Sequence, residues 1–333
     1  MPLKKTVLIA IDEFASSTNS PIKILESAGF KVLKNDSGTP LDFQKNADLY
    51  LKADYIIAGL ESYPSDFFKK FKNIKAISRV GVGVDSIDLD SAKKHGVKIF
   101  VTSDKPSVAV AELCISNMIS LLRHTFKMSN DLKASFWNPI QGRELRNCTI
   151  GVIGVGSIGK ELIKRLDSFG PKIIGYGRTW SDEFANKFNL QRKSIKEIFE
   201  ESDIITIHLP STPDTKGLIS KKYIELLKYD ALVLNTSRAA VIDNSALADA
   251  IAKKNIMAAV DVFDEERDSY PYTDIEGVIL TPHIASHTIE TRKSMEDMAS
   301  ETLEIYDSIL NSQDIKIDDN KLLYINKHSV KVL

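Results

Sequence analysis

Thr149-Ile150-Gly151-Val152-Ile153-Gly154-Val155-Gly156-Ser157-Ile158-Gly159 is the stretch whose reading decides the fold. Its first five residues are largely apolar, partly β-branched and too few for a helix, so they read as a short buried strand. Lys160 to Leu166 carry one apolar face and read as a helix. A strand, a G-x-G-x-x-G turn and a helix in that order make a dinucleotide fingerprint. Gly154 permits the tight turn, Gly156 lets backbone approach a pyrophosphate, and Gly159 lets helix close on strand. The amides of Ser157 and Ile158, at the helix N-terminus, then face phosphate oxygens.

A fingerprint of this kind needs a ribose-reading residue about 20 positions on, at the end of the next strand. That strand is Lys172–Tyr176, followed by Gly177-Arg178-Thr179. An acid there would bind both ribose hydroxyls and repel a 2′-phosphate. Gly177 removes the repulsion and Arg178 offers a guanidinium fork to phosphate, so NADP is favoured over NAD. The alternatives are that Arg178 is a surface cation on a turn, or that Asp182 or Glu183 supplies the missing carboxylate.

Further strands follow at regular intervals, and each ends in chemistry. Ile204 to Ile207 leads into His208-Leu209-Pro210, where His208 reads as a cofactor neighbour or structural histidine rather than a catalyst. Ala231 to Asn235 delivers Thr236-Ser237-Arg238. After a helix from Asn244 to Lys254, the strand Met257–Val260 delivers Asp261 and Glu266, and Val278–Leu280 ends at Thr281-Pro282-His283. Arg238 alone reads equally as a surface cation, and Glu266 sits in the charged loop Asp264-Glu265-Glu266-Arg267. Together on strand ends beside a nicotinamide-type fold, however, an arginine, an acid and a histidine point to a site. His283 and His287 form an H-x-x-x-H, but without a third ligand and after Pro282 this gives no metal site.

The N-terminal part alternates in the same way. Strands are expected at Val7–Ile9, Lys31–Leu33, Tyr55–Ala58, Lys75–Ser78 and Val97–Phe100. Helices are expected from Pro21 to Ala28, stopped by Gly29, from a Ser65 cap to Phe71, and from Ser91 to His95. This βαβ alternation implies parallel sheets with helices on both faces. Val80-Gly81-Val82-Gly83-Val84 is either a plain strand-to-helix turn or a loop whose amides stay open to a small anion. Glu61 sits in another strand-end loop, placed to influence what enters. Val108 to about Arg123 is apolar on nearly all sides, which implies burial in a domain junction or subunit interface. Trp137, Pro139 and Gly142 mark an irregular arm after it.

Length suggests about two domains. With 44 basic and 45 acidic residues there is no electrostatic pull towards nucleic acid or anionic membrane. The apolar start ends at Asp12 and Glu13 without a cleavage site, so it reads as a first strand rather than a signal peptide. No apolar run approaches the roughly 20 residues needed to span a bilayer. The two cysteines, Cys114 and Cys148, lie far apart in apolar surroundings, and the cytoplasm is the default compartment.

Taken together, these motifs resemble the D-isomer-specific 2-hydroxyacid dehydrogenase family, in its phosphoglycerate dehydrogenase-like branch. The resemblance rests on Arg79 to Asp88, Val110-Ala111-Glu112, the fingerprint, His208-Leu209-Pro210 with Thr212-Pro213-Asp214-Thr215, Asn235 to Asp243, Asp261 to Glu266, and Thr281 to Ile284. It implies two Rossmann-like, doubly wound parallel-sheet domains with a cleft between them. Residues 1–102 and 287–333 would form a discontinuous substrate-binding domain, and 103–286 the NAD(P)-binding domain.

The implied activity interconverts a small 2-hydroxy acid and a 2-oxo acid. His283 would be the acid/base, Glu266 its orienting carboxylate and Arg238 the substrate clamp. Val80, Gly81 and Val82 would hold the substrate carboxylate. Asp261 would meet the nicotinamide amide, and His208, Leu209, Pro210, Thr215, Thr236 and Ser237 would line the cofactor. Subunits of the family dimerise through the long helix and arm, here about Val108 to Gly142.

This chain departs from the family pattern in Arg238-Ala239, in Glu266-Arg267 and in Gly177. Glu61 lies where phosphoglycerate-specific relatives carry basic residues, which counts against 3-phosphoglycerate. The residues after Leu310 leave no room for a regulatory domain, so serine feedback is not expected. A glyoxylate or hydroxypyruvate reductase is one alternative. A non-catalytic, NAD(H)-sensing corepressor-like scaffold is another, against which Arg238, Glu266 and His283 all speak.

Overall fold

The computed structural model describes residues 4–102, 105–263, 271–273, 275–311 and 330–332. The chain divides into two compact units, Met1–Pro106 with Thr288–Leu333, and Ser107–His287. No helix among the described residues is long and apolar enough to cross a membrane.

The first unit is built on strands β1 (Thr6–Ile9), β2 (Lys31–Lys34), β3 (Tyr55–Ala58), β4 (Ala76–Arg79) and β5 (Lys98–Thr102), all parallel. β1, β3 and β4 are buried along their whole length, as central strands covered on both faces must be. Alternation then sorts their side chains. Val7, Ile9, Tyr55 and Ile57 face Met295, Met298 and Leu303 of the 23-residue helix Ile289–Asn311. Leu8, Ile56, Ala58 and Ile77 face an aromatic cluster of Tyr50, Tyr63, Phe67, Phe68 and Phe71. Burying each of these large side chains contributes about 1.5–3 kcal/mol.

The second unit carries β6 (Thr149–Ile153), β7 (Lys172–Tyr176), β8 (Gln191–Arg192), β9 (Ile204–Ile207), β10 (Leu232–Asn235), β11 (Met257–Val260) and β12 (Val278–Leu280). They form one parallel sheet in the order β12-β11-β10-β9-β6-β7-β8. A last strand, β13 (Val330–Val332), returns to the first unit and pairs antiparallel with β5, giving the order β13-β5-β4-β3-β1-β2. Both sheets therefore reverse direction of growth once, between β1 and β3 and between β6 and β9. In sheets of this type, ligands bind outside the carboxyl ends of the strands at that reversal.

Three local readings differ from expectation. Ser65 is the first helical residue after Pro64, not the cap, because proline cannot donate and suits the helix entry. The helix starting at Leu89 is instead capped by Asp88, which accepts from the amide of Ser91 at 2.8 Å. The long apolar helix runs Ser107–Leu122, and its burial is supplied largely within its own unit. Ala111, Cys114, Met118 and Leu121 pack there with Leu162, Ile163 and Leu166 of the fingerprint helix Ser157–Leu166.

Candidate active site

Parallel pairing brings the carboxyl ends of β6, β7, β9, β10, β11 and β12 to one rim of the second unit. The fingerprint occupies the reversal point. Gly154 adopts φ 104°, a conformation that favours glycine, and a Cβ there would collide with the carbonyl of His208. A Cβ at Gly159 would collide with the carbonyl of Gly154, so helix and turn touch backbone to backbone. A Cβ at Gly156, by contrast, meets nothing within 4 Å. Gly156 precedes the helix without any side-chain cap, and the first-turn amides lack intrahelical acceptors by construction. A positive helix end beside open space fits the pyrophosphate of a dinucleotide.

Gly177 is buried behind this turn, where a Cβ would stand 3.4 Å from the Val155 nitrogen, while Arg178 and Thr179 are exposed. Asp182 and Glu183 occupy the first turn of the helix Asp182–Lys187, capped by Ser181, where their charges complement the helix dipole. A cation absent from the sequence reading, Arg192, donates to the carbonyl of Gly177 at 3.3 Å.

At the end of β9, the Nε2 of His208 pairs with the Thr206 hydroxyl at 2.9 Å, and Nδ1 is buried with no partner among the described residues. Although the residue keeps some exposed surface, burial of its ring pushes the imidazole down to about 4. It is neutral near pH 7 and poorly suited to proton exchange. Thr215 fastens the loop that follows. Its hydroxyl donates to the Pro210 carbonyl at 2.5 Å and accepts from the Thr212 amide at 2.8 Å. Leu209 packs partly buried beside that loop.

The turn carrying Arg238 is organised by Asn235, a residue the sequence reading treated only as a strand end. Its side-chain oxygen accepts from the amide and hydroxyl of Ser237 at 3.0 and 2.9 Å, and its Nδ2 donates to the carbonyl of Arg238 at 3.0 Å. Thr236 and Ser237 thus turn their hydroxyls inward, Thr236 towards Cys114 at 3.6 Å. Arg238 is extended and only partly buried, with Nη1 on the Ser237 carbonyl at 2.6 Å.

Asp261 ties the next two strand ends together. Its amide donates to the carbonyl of Asn235 at 3.0 Å. Its Oδ1 accepts from the Thr281 hydroxyl at 2.5 Å and the Ile284 amide at 2.9 Å, and its Oδ2 from the Ala285 amide at 3.0 Å. Burial pushes its carboxyl upward, and the three hydrogen bonds and His283 pull it back. The carboxylate therefore organises the histidine loop, a task the resemblance did not assign to it. Glu266 lies outside the described residues.

In the first unit the Val80–Val84 loop supplies fewer amides than its glycines suggest. The amide of Val80 donates to the carbonyl of Ala58, and that of Gly81 to the Thr102 hydroxyl, both at 2.8 Å. Among the described residues no acceptor takes the amides of Val82 and Gly83. The open amides of the loop thus begin one residue further along, because those of Val80 and Gly81 are taken by Ala58 and Thr102. Gly81 is required for a different reason. Its φ is 135°, and a Cβ there would collide with the Arg79 guanidinium beneath it.

Two parallel-sheet units, one carrying a complete dinucleotide turn with Arg and His on the adjoining strand ends, define a dinucleotide-binding α/β protein. The model of the D-isomer specific 2-hydroxyacid dehydrogenase, NAD binding domain, matches residues 115–285. A D-3-phosphoglycerate dehydrogenase of Methanocaldococcus jannaschii is 33% identical over 307 residues, which are 88% of this chain and 58% of that protein. A glyoxylate reductase of Thermofilum pendens is 34% identical over 262 residues, covering 74% of this chain and 77% of that one. A crystal structure of an NAD+-bound 3-phosphoglycerate dehydrogenase of Entamoeba histolytica superposes with a TM-score of 0.79 at 25% identity, covering 95% and 99% of the two chains. The chain belongs to the D-isomer specific 2-hydroxyacid dehydrogenase family, and its second unit is the NAD-binding domain of that family. It spans little more than half the length of the phosphoglycerate dehydrogenase it matches.

Proposed function

We propose that this protein interconverts a D-2-hydroxy acid and a 2-oxo acid by hydride transfer. The observation that carries the proposal is the link Asn235–Asp261–His283, which sets the Arg238 turn and the His283 loop on the fingerprint's rim. The nicotinamide of the bound cofactor supplies or accepts the hydride at C2. Arg238 presents a planar fork that holds the substrate carboxylate and polarises the C2 oxygen. His283 gives its proton to that oxygen during reduction and removes it during oxidation. Glu266 orients His283 in this proposal, and Asp261 holds its loop and would meet the amide of a bound nicotinamide.

The same proposal makes NADP the preferred cofactor, because Gly177 leaves no carboxylate to repel a 2′-phosphate and Arg178 stands next to it. It also makes the protein a homodimer formed through the stretch 108–142. Phe126, Leu132, Phe136 and Trp137 are 58, 57, 60 and 82% exposed, more apolar surface than an isolated arm would keep. A reducing compartment such as the cytoplasm suits the two buried free thiols, Cys114 and Cys148.

An unphosphorylated oxo acid, glyoxylate or hydroxypyruvate, is favoured as substrate over a phosphorylated one by a single observation. Glu61 is only 4% exposed at the β1–β3 reversal, with Oε2 on the Gly59 amide at 2.6 Å and Oε1 meeting no donor among the described residues. Burial pushes the Glu61 carboxyl upward while the Gly59 amide and Arg79 pull it back, and a carboxyl at this position, charged or neutral, supplies no cation to a substrate phosphate.

A panel of 2-oxo acids assayed with NADH and NADPH tests these points together. Turnover with glyoxylate or hydroxypyruvate is the expected result. Cofactor binding without turnover of any oxo acid would replace the enzyme with a nucleotide-sensing scaffold.

A further inference from the structure

The turn behind the fingerprint holds a second guanidinium that sequence spacing does not announce. β8 is two residues long and pairs with β7 so that Arg192 lies beside Gly175. The guanidinium of Arg192 sits over the indole of Trp180, 5.3 Å from the ring centroid, and its Nη2 donates to the Gly177 carbonyl at 3.3 Å. Trp180 in turn lies against β7. A Cβ added at Gly175 would stand 3.6 Å from its Cη2 and 3.0 Å from Val155 Cγ2. Val155 belongs to the fingerprint turn and also lines Gly177.

These contacts join the phosphate-binding turn, the ribose-reading position and Arg192 in one group. A long surface arginine usually keeps its rotamer freedom, yet this one is held from two sides, by an aromatic face and by a carbonyl. Its guanidinium has five N–H donors, so the bond to Gly177 leaves several for a ligand. The carbonyl it touches belongs to the residue standing where a family acid would read the ribose.

We propose that Arg192, braced on Trp180, binds the 2′-phosphate of an adenosine cofactor together with Arg178. The proposal rests on the second unit's being an NAD(P) site, and it names the residue that converts a tolerated 2′-phosphate into a bound one. Two guanidinium groups of this kind grip a phosphate dianion in two directions, where a single exposed arginine offers a weak, screened contact.

The full-length protein and its Arg192→Ala, Arg192→Lys and Arg178→Ala variants are titrated with NADPH and NADH by fluorescence. 2′,5′-ADP and ADP serve as competing probes that lack the nicotinamide. Arg192→Ala is expected to weaken NADPH and 2′,5′-ADP tenfold or more while changing NADH and ADP less than twofold, with Lys recovering part of the loss. Equal losses for both members of each pair overturn the proposal, since Arg192 would then only cover the adenine or support the turn. No loss for any probe overturns it as well. A wild-type protein that binds NADH more tightly defeats the NADP preference, yet a loss confined to the 2′-phosphorylated probes would still establish Arg192. Loss of NADPH selectivity in Arg178→Ala alone would keep the preference and remove Arg192 from it.

Discussion

His283 donates its backbone N–H to the carbonyl of Asp261 at 3.0 Å, and the side chain of the same aspartate takes the amides of Ile284 and Ala285. The histidine needs this hold, because its φ of 52° is left-handed, a conformation that costs about 1–3 kcal/mol for a non-glycine residue. Asp261 thus connects the order of the sheet to the orientation of the proposed acid/base.

Asp261→Asn tests that connection. The carboxamide can accept at one end only, so its NH2 must face an amide donor of the loop. Leaving a buried donor unmet costs about 1–3 kcal/mol. We expect a thermal midpoint lower by several degrees and a fall in kcat/KM larger than the loss in cofactor affinity. Wild-type stability and turnover in this variant would mean that the loop holds itself.

Arg238→Lys keeps the charge and loses the planar fork. The expected fall in kcat/KM is on the order of 100-fold, the scale of losing one donor to the developing oxyanion. Reduced-cofactor affinity, read by fluorescence titration, should be nearly unchanged, since the Asn235 side chain still holds Ser237 and the Arg238 carbonyl when the guanidinium bond to Ser237 is lost. Near-normal turnover would place Arg238 outside the site.

Gly177→Asp should swing cofactor preference towards NADH by tenfold or more, about 1.4 kcal/mol. The structure has room for the change. A Cβ at Gly177 approaches Thr179 O and Val155 N at 3.4 Å, ordinary contact distances. The ratio of kcat/KM for the two cofactors is the measurement, and an unchanged ratio in a folded variant would show that the adenosine ribose lies elsewhere.

His208 carries the pH prediction. Burial holds its imidazole at about 4, below its ordinary value near 6.5. The folded state therefore binds fewer protons there than the unfolded chain, and stability is lost as pH falls from about 6.5 towards 4. His208→Gln keeps a hydrogen-bonding partner for Thr206 and does not titrate. The thermal midpoint of the wild type relative to the variant should drop between pH 7 and pH 5. A difference that stays constant with pH would show that His208 charges freely in the fold.

Much of this molecule was legible in one dimension. Strands β6, β7, β11 and β12 and the helix Asn244–Lys254 carry the residue ranges their apolar patterns predict, because period, glycines and caps are local properties. The Asp243 cap that starts that helix accepts from Ala246 at 2.9 Å, within reach of any sequence reading. The Gly154, Gly156 and Gly159 roles were equally visible, since one turn contains all three. The helices Thr125–Lys133 and Ile195–Glu201 were not anticipated. The first has too few apolar residues to set a period, whereas the second carried a legible signal in its Ser194–Glu197 capping box and the Ile195, Ile198, Phe199 spacing.

Sequence by itself determined the parallel α/β class, the dinucleotide turn and the set of strand ends that bear Arg238, Asp261 and His283. Tertiary structure alone decided how those ends are joined. Thr102 claims the Gly81 amide across 21 residues, Asp261 gathers residues 281–285, and Arg192 reaches back to Gly177. Each is a hydrogen bond whose partner is chosen by strand order and register, and neither can be read from periodicity along the chain.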